Sequence, residues 1–281
     1  MTPNATRTAV LTDSTADIPA QEAQELGVTV VPALLTFEGR SFEDGVGLSR
    51  LELYSRMQFV RQPPTTAAPA LYQFEEAYRR LLASGYDHIL SIHVSSKLSG
   101  MLNTATQAAK SFGELVRTFD SGQVSLGLGF QVMEAAAAAL AGQPFEAVVD
   151  VARRAREKVR FIAMINTLEF IRRSGRISWL TANIGELLHV KLLVELVDGV
   201  VNRLDRVRTR RKALDELRAL AGSWGPLQRL AVMHTAIPEE AASFAERLRS
   251  FSLKPPLVVD VTTIIGAHVG AGSIGVAGLQ R

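Results

Sequence analysis

The chain has 281 residues, of which 47% are hydrophobic and 21% charged, as in globular proteins of one or two domains. Because it contains no cysteine, disulfides, thiolate metal sites and cysteine nucleophiles are excluded. The net charge of +3 is unevenly placed, since residues 1–150 carry 10 Lys/Arg against 16 Asp/Glu and residues 151–281 carry 21 against 12. This asymmetry suggests two units, the second of which either faces an acidic partner or presents a solvated basic face.

The sequence lacks the apolar segments that would direct it to or through a membrane. Its first residues are polar, unlike a signal peptide, and no run of about 18 apolar residues occurs. Together with the missing cysteine, this pattern favours a soluble protein of the cytoplasm.

The first part of the chain alternates predicted strands with predicted helices. Thr8–Asp13 is an apolar run typical of a buried parallel strand, Pro19 suits the first turn of a helix, and Ser49 suits an N-cap. The other predicted elements are strands 28–37, 88–94 and 115–119, helices 49–59, 98–112, 123–141 and 145–158, and a helix that ends near Ser84. Such alternation favours an α/β fold, with a Rossmann-like parallel sheet over residues 1–158.

After residue 158 the pattern changes. Asp198-Gly199, between two runs of alternating apolar residues, is the strongest hairpin signal in the chain. The predicted strands are 159–165, 190–197, 200–207, 227–234 and 257–263. The predicted helices are one through Arg172 and three near 177–188, 211–221 and 238–250, and a glycine-rich loop, 266–272, precedes a last short strand. Because a hairpin pairs antiparallel strands, residues 159–281 are predicted to form an α+β domain.

Hydroxyl side chains follow the predicted strands, at the edge where an open parallel sheet collects ligands. These residues and the glycine beside them are Ser14, Thr15, Ser95, Ser96, Ser99 and Gly100. Ser99 would lie at a helix start, where free N–H groups favour an anion, and Thr66 lies in a loop rich in Pro and Thr. Arg176 and His268 are further candidates for an anion. From the residues alone, ordinary caps and turns explain the same pattern.

Other chemistry has little support in the sequence. Dinucleotide-binding, phosphate-loop and nucleophile-elbow motifs are absent, and the five histidines show no metal spacing, so no metal and no cofactor are expected. Arg206, Arg208 and Arg210 would share one face of a strand, either as a solvated edge or as a docking surface. Nucleic acid is not expected as a partner, because the basic run is short and has no interleaved aromatic residues.

Four segments in this order resemble the DegV family of bacterial fatty-acid-binding proteins. They are residues 12–19 (TDSTADIP), 95–100 (SSKLSG), 174–178 (SGRIS) and 267–272 (AHVGAG). The resemblance implies a DegV-like fold in which a Rossmann-like domain, residues 1–158, binds a fatty-acid carboxylate and an α+β domain, residues 159–281, covers the acyl chain in a tunnel. Palmitate and oleate are typical ligands, and loop 62–72 is expected to pack on the second domain.

The resemblance also implies which residues bind the head group. Thr66, Ser99, Arg176 and His268 are expected to contact the carboxylate. The residues expected to support them are Ser14, Ser96 and Gly100. The chain departs from the family where Ala67 and Ala68 replace a usual Ser-Gln pair, and each lost hydrogen bond is worth about 1 kcal/mol.

Some family members resemble the lipid-binding subunit of bacterial fatty acid kinase. In that system a separate ATP-using subunit phosphorylates the bound carboxylate, so the resemblance implies a kinase partner, a chain that is not itself an enzyme, and docking at Arg206, Arg208 and Arg210. Transient membrane contact would serve lipid exchange. Two alternatives remain: an enzyme acting on a small phosphorylated or carboxylated metabolite, and a lipid-binding regulator or store without a kinase partner.

Overall fold

The computed structural model describes residues 6–175 and 190–281. By its internal contacts the chain forms two compact units. Unit 1 comprises Met1–Ala33 and Ala67–Lys158, and unit 2 comprises Leu34–Thr66 and Val159–Arg281. Residues 1–158 are predicted from the sequence to form one domain, whereas in the structure Leu34–Thr66 groups with the C-terminal part of the chain.

The regular elements of the described residues are numbered in chain order. The strands are β1 (Thr8–Asp13), β2 (Thr29–Val31), β3 (Leu34–Phe37), β4 (Arg40–Glu43), β5 (Thr65–Ala67), β6 (His88–His93), β7 (Val116–Asp120), β8 (Val159–Ile165), β9 (Lys191–Val197), β10 (Val200–Val207), β11 (Leu227–His234), β12 (Leu257–Asp260) and β13 (Ile274–Gln280). The helices are α1 (Ala20–Glu25), α2 (Arg50–Met57), α3 (Leu71–Ala83), α4 (Met101–Ala109), α5 (Leu126–Leu140), α6 (Phe145–Lys158), α7 (Glu169–Arg173), α8 (Arg210–Gly222), α9 (Pro238–Leu248) and α10 (Thr263–Val269). None of these described helices is long and apolar enough to cross a membrane.

Unit 1 is built on a parallel sheet with the strand order β2-β1-β6-β7. Its strands are apolar because helices cover the sheet, with α3 and α4 against β6 and α5 against β1. Leu11, Leu90, Ile92 and Phe130 are fully buried in this core. The predicted α/β class and its parallel sheet are confirmed.

Residues 28–37, predicted as one strand, form two. β2 pairs with β1 in unit 1, whereas β3 belongs to unit 2 and forms a small sheet in the order β4-β3-β5. Pro32 lies between them and lacks the N–H that a continuous ladder would need. A turn at Glu38-Gly39, with φ of 49° and 75°, leads into the unpredicted strand β4.

Unit 2 also contains a mixed six-stranded sheet in the order β10-β9-β8-β13-β11-β12. All neighbours are antiparallel except β11 and β12. The predicted hairpin joins β9 to β10 through Asp198 and Gly199, whose φ values of 47° and 75° fit a type I′ turn. Leu217, Phe244 and Val232 belong to the core that α8 and α9 form on this sheet.

Candidate functional site

The strand order of unit 1 creates a crevice at the carboxyl ends of β1 and β6. From β1 the chain adds β2 on one side and then β6 and β7 on the other, so the direction of winding reverses between β1 and β6. Ligands of open α/β sheets bind outside the strands at such a switch point. The loop after β1 carries Ser14, and the loop after β6 carries Ser95, Ser96 and Ser99. These hydroxyls therefore follow the carboxyl ends of two neighbouring strands, as the sequence predicted.

The hydroxyls at this crevice have different partners. The half-buried Ser14 accepts a hydrogen bond from Ala33 N, at 3.1 Å. The exposed Ser96 donates to Asp120 Oδ2 at 2.6 Å, so its proton is directed towards β7. The half-buried Ser99 accepts from Met101 N at 3.2 Å, just before α4. That bond uses a lone pair and leaves the hydroxyl proton of Ser99 available for an anion.

The N-terminal end of α4 adds further donors. Gly100 is the exposed residue that precedes the helix, with φ of −72° and ψ of −1°. An added Cβ there would meet no atom within 4 Å, so the space beside the helix start is open. Backbone N–H groups and the helix dipole make such a position favourable for a carboxylate.

In unit 2, Thr66 and His268 are in contact although 202 positions separate them. Thr66 lies in β5 and His268 in the last turn of α10, and Thr66 Oγ1 is 2.9 Å from His268 Nε2. Both side chains are half-buried. A hydroxyl that accepts from an imidazole N–H keeps its own proton to donate. The pair can therefore present a hydrogen-bond donor to an anion.

The segment that holds His268 is a helix, so the prediction of a loop was wrong for residues 266–269, whereas residues 270–272 lie outside the helix. Gly266 lies within α10, and a Cβ there would fall 2.2 Å from Tyr54 Oη. Glycine at this position therefore allows close packing against α2. Gly270 ends the helix with φ of 69° and ψ of 175°, a backbone conformation that residues other than glycine rarely adopt. The glycines thus serve the packing and the end of a short helix.

Asn166, which the sequence analysis missed, holds the turn that follows α10. Its backbone N–H donates to Ser273 Oγ at 3.2 Å and its Nδ2 donates to Ala271 O at 3.2 Å. Gly272 is required beside it, since a Cβ there would lie 2.7 Å from Asn166 Nδ2. A single asparagine at the end of a strand has no sequence signature by which it could have been identified.

Arg210 braces the same turn, and the prediction that it shares a strand face with Arg206 and Arg208 was wrong. β10 ends at Val207, and Arg210 is the first residue of α8. Its Nη1 donates to Gly272 O at 2.6 Å, and its Nε donates to the Glu240 carboxylate at 2.7 Å. Arg206 and Arg208 are exposed. Arg210 therefore stabilises unit 2 through these hydrogen bonds.

Lys191 and Arg173 complete the polar framework of unit 2. Lys191 Nζ donates to Asn166 O at 3.1 Å, and burial together with the nearby Arg210 charge lowers its pKa. Arg173 Nη2 donates to Val60 O at 2.7 Å and to Arg61 O at 3.2 Å. These two hydrogen bonds attach the segment before β5, which carries Thr66, to α7.

A second polar cluster lies where β11 and β12 end, before α10 begins. His234 Nδ1 is 3.5 Å from Asp260 Oδ1, and Arg50 Nε donates to Val261 O at 2.7 Å. The His234 side chain is 5% exposed. Burial lowers the pKa of His234, and the Asp260 carboxylate opposes that effect only in part.

Two further expectations concern Arg176 and metal binding. Arg176 and the predicted helix 177–188 lie outside the described residues. Within residues 6–175 and 190–281, no group of three His, Cys, Asp or Glu side chains is placed to hold a metal ion.

Known proteins resemble this chain over nearly its whole length. A family profile described as "Uncharacterised protein, DegV family" matches residues 7–281. A DegV domain-containing protein of Streptomyces coelicolor is 37% identical over 277 residues, which cover 97% of this chain and 98% of the relative. One from Deinococcus radiodurans is 33% identical over 273 residues, with 96% and 97% coverage.

Solved structures give the same result. A structure described as "Fatty Acid Binding of a DegV family Protein from Thermus thermophilus" has a TM-score of 0.90 at 30% identity, covering 98% of this chain and 100% of that chain. The structure of "DegV, a fatty acid binding protein from Bacillus subtilis" has a TM-score of 0.87 at 28% identity, with 98% and 100% coverage.

Proposed function

This chain belongs to the DegV family, and we propose that it binds a long-chain fatty acid such as palmitate or oleate. The observation that carries the proposal is the 2.9 Å contact between Thr66 and His268, since both residues are expected to bind the head group. The Thermus thermophilus and Bacillus subtilis relatives, described as fatty acid binding, support it. A metabolite enzyme has no comparable support in the described residues.

The proposed head-group ligands are Thr66, Ser99, Arg176 and His268. Thr66 donates its hydroxyl proton to the carboxylate while His268 Nε2–H donates to Thr66, so the acid selects one direction of this hydrogen bond. Ser99 donates its own proton, since its lone pair already accepts from Met101 N. Arg176 enters by the family resemblance, as the cation that neutralises the carboxylate.

Burial of the acyl chain would supply most of the affinity. At roughly 0.8 kcal/mol for each buried methylene, a chain of about 15 methylenes gains roughly 12 kcal/mol. Association costs about 4–15 kcal/mol, so the net affinity depends strongly on the remaining contacts. The hydroxyl and cation contacts then orient the head group and select an acid over a neutral lipid.

We further propose that the bound acid is presented to a separate ATP-using kinase subunit. A carboxylate oxygen attacks the γ-phosphorus of ATP, the bond to the β-phosphate oxygen breaks, and acyl phosphate and ADP form. The sequence carries no phosphate loop of its own, which supports a carrier in place of a catalyst. The proposed docking cations are Arg206, near the end of β10, and Arg208, just after it, and both are exposed.

Native mass spectrometry of the protein as purified tests the ligand. We expect a stoichiometric fatty acid that solvent extraction identifies and that the Thr66→Val, Ser99→Ala double variant no longer retains. Thr65→Val is the matched control, because Thr65 is the exposed neighbour of Thr66 on the same strand and should retain the ligand. A ligand-free protein that takes up neither palmitate nor oleate would exclude the carrier function.

A further inference from the structure

Unit 1 contains a chain of four fully buried polar side chains, Asp13, His93, Ser91 and Tyr78. His93 Nδ1 donates to Asp13 Oδ2 at 2.9 Å, and His93 Nε2 lies 2.7 Å from Ser91 Oγ. Ser91 Oγ is in turn 2.9 Å from Tyr78 Oη. Burial raises the pKa of Tyr78 to about 12, so its hydroxyl stays a donor in the physiological range. This series of hydrogen bonds ends at Asp13, the last residue of β1, next to the ligand crevice of β1 and β6.

The Asp13 carboxylate joins the two loops of that crevice. Its Oδ1 accepts from Thr15 N at 3.0 Å and from the Thr15 hydroxyl, in the loop after β1. Its Oδ2 accepts from Val94 N at 3.1 Å, where the loop after β6 begins. Four donors thus converge on one carboxylate, and such hydrogen bonds to a charged acceptor are stronger than those between neutral groups.

The connection continues from Val94 to the proposed head-group residue Ser99. Ser95 follows Val94 directly, and Ser95 O accepts from Leu98 N at 2.9 Å and from Ser99 N at 3.1 Å. A shift of Val94 would therefore be transmitted to Ser99. On the other side of the crevice, Ser14 lies between Asp13 and Thr15, whose positions the carboxylate fixes.

Stability alone gives little reason for a carboxylate in this place. Transferring a charge from water to the protein interior costs free energy, and apolar replacements of buried ionic groups are often neutral or stabilising. A group that bridges two ligand-binding loops has a reason to remain, because geometry there decides how a ligand is held.

We propose that Asp13 is a positioning residue for carboxylate recognition, holding the Ser14 loop and the Ser99 loop at a fixed spacing. This inference rests on the proposed function and adds a residue that does not touch the ligand. His93 orients the Asp13 carboxylate, whereas Tyr78, at the far end of the chain, serves the packing of α3 and α4.

The test compares the affinities for palmitate and methyl palmitate in the full-length protein, measured by displacement of a fluorescent fatty acid. The ratio of the two affinities reports head-group recognition, and a uniform loss of stability leaves it unchanged. In Asp13→Asn we expect the preference for the acid to fall at least about fivefold, and in Thr15→Val to fall less. Tyr78→Phe is the matched control: it removes buried hydrogen bonds to Ser91 and Ala105 and should keep the wild-type ratio.

The outcomes separate this inference from the function on which it rests. A folded Asp13→Asn variant with the wild-type ratio overturns the inference, and so does an equal loss in Tyr78→Phe. If Asp13→Asn does not fold, Thr15→Val decides, since an unchanged ratio there contradicts a positioning role. A wild-type protein that binds no palmitate overturns the proposed function and this inference together.

Discussion

Replacing Gly270 by alanine should destabilise unit 2 by more than the same change at Gly225. Both residues have positive φ, 69° and 80°, but a Cβ at Gly270 would lie 2.2 Å from Phe170 Cδ2, whereas one at Gly225 meets nothing within 4 Å. The backbone strain is about 1–2 kcal/mol at Gly225 and about 1–3 kcal/mol at Gly270, where ψ is also extended. Displacing the buried Phe170 adds about 1–3 kcal/mol at Gly270 alone.

Urea denaturation followed by far-UV circular dichroism measures the two costs, with midpoint and slope fitted separately. We expect about 1–2 kcal/mol for Gly225→Ala and about 2–6 kcal/mol for Gly270→Ala. Because the extra cost arises from Phe170, the double variant Gly270→Ala, Phe170→Ala should show a favourable coupling of about 1–3 kcal/mol. Equal costs at the two glycines, or an additive double variant, would refute the packing argument for this helix end.

Three other predictions concern the head group, the partner and pH. Ala67→Ser with Ala68→Gln restores the polar pair usual in the family and should tighten palmitate binding about fivefold, as titration calorimetry would detect; unchanged affinity would show that these positions do not face the carboxylate. Reversing Arg206 and Arg208 to glutamate should abolish acyl-phosphate formation with a kinase subunit and leave palmitate binding intact, whereas loss of both would indicate a folding defect. Because burial lowers the pKa of His234 below its ordinary 6.5, the unfolded chain binds that proton more readily. The contribution of the neutral His234 to the free energy of unfolding is therefore fully present above pH 6.5 and is lost as the pH falls through the folded pKa. His234→Asn should flatten the dependence of the urea midpoint on pH over this range. An unchanged dependence would exclude His234 as its source.

The parts of the fold that the sequence predicted well are those with local causes. Ser49 caps α2 in a capping box with Glu52, and Asp198-Gly199 forms the predicted hairpin turn. Both features depend on neighbours within a few residues. The split of residues 28–37 was missed because the apolar run is continuous in composition, and only the pairing partners show that it serves two sheets.

The site depended on contacts that no local pattern contains. Thr66 and His268 could be assigned to one site only through the family resemblance, since their hydrogen bond joins positions 202 residues apart. The glycines of 266–272 suggested a loop because a glycine packed closely against a neighbouring helix and a glycine in a loop look alike in sequence. Asn166 and the role of Arg210 were missed for the same reason, as their partners lie in distant segments.

The place of β13 in its sheet constrains how unit 2 is made during translation. β13 follows all other strands of that sheet in the chain, yet it lies at the centre, between β8 and β11. While the ribosome is still synthesising this strand, β8 and β11 each present an unpaired edge, and such edges favour aggregation. Leu34–Thr66, made early, must also wait for the C-terminal segment with which it groups. Unit 1 can form its parallel sheet once Asp120 has emerged, so the nascent protein is expected to fold from unit 1 to unit 2 and to depend on chaperones during the interval.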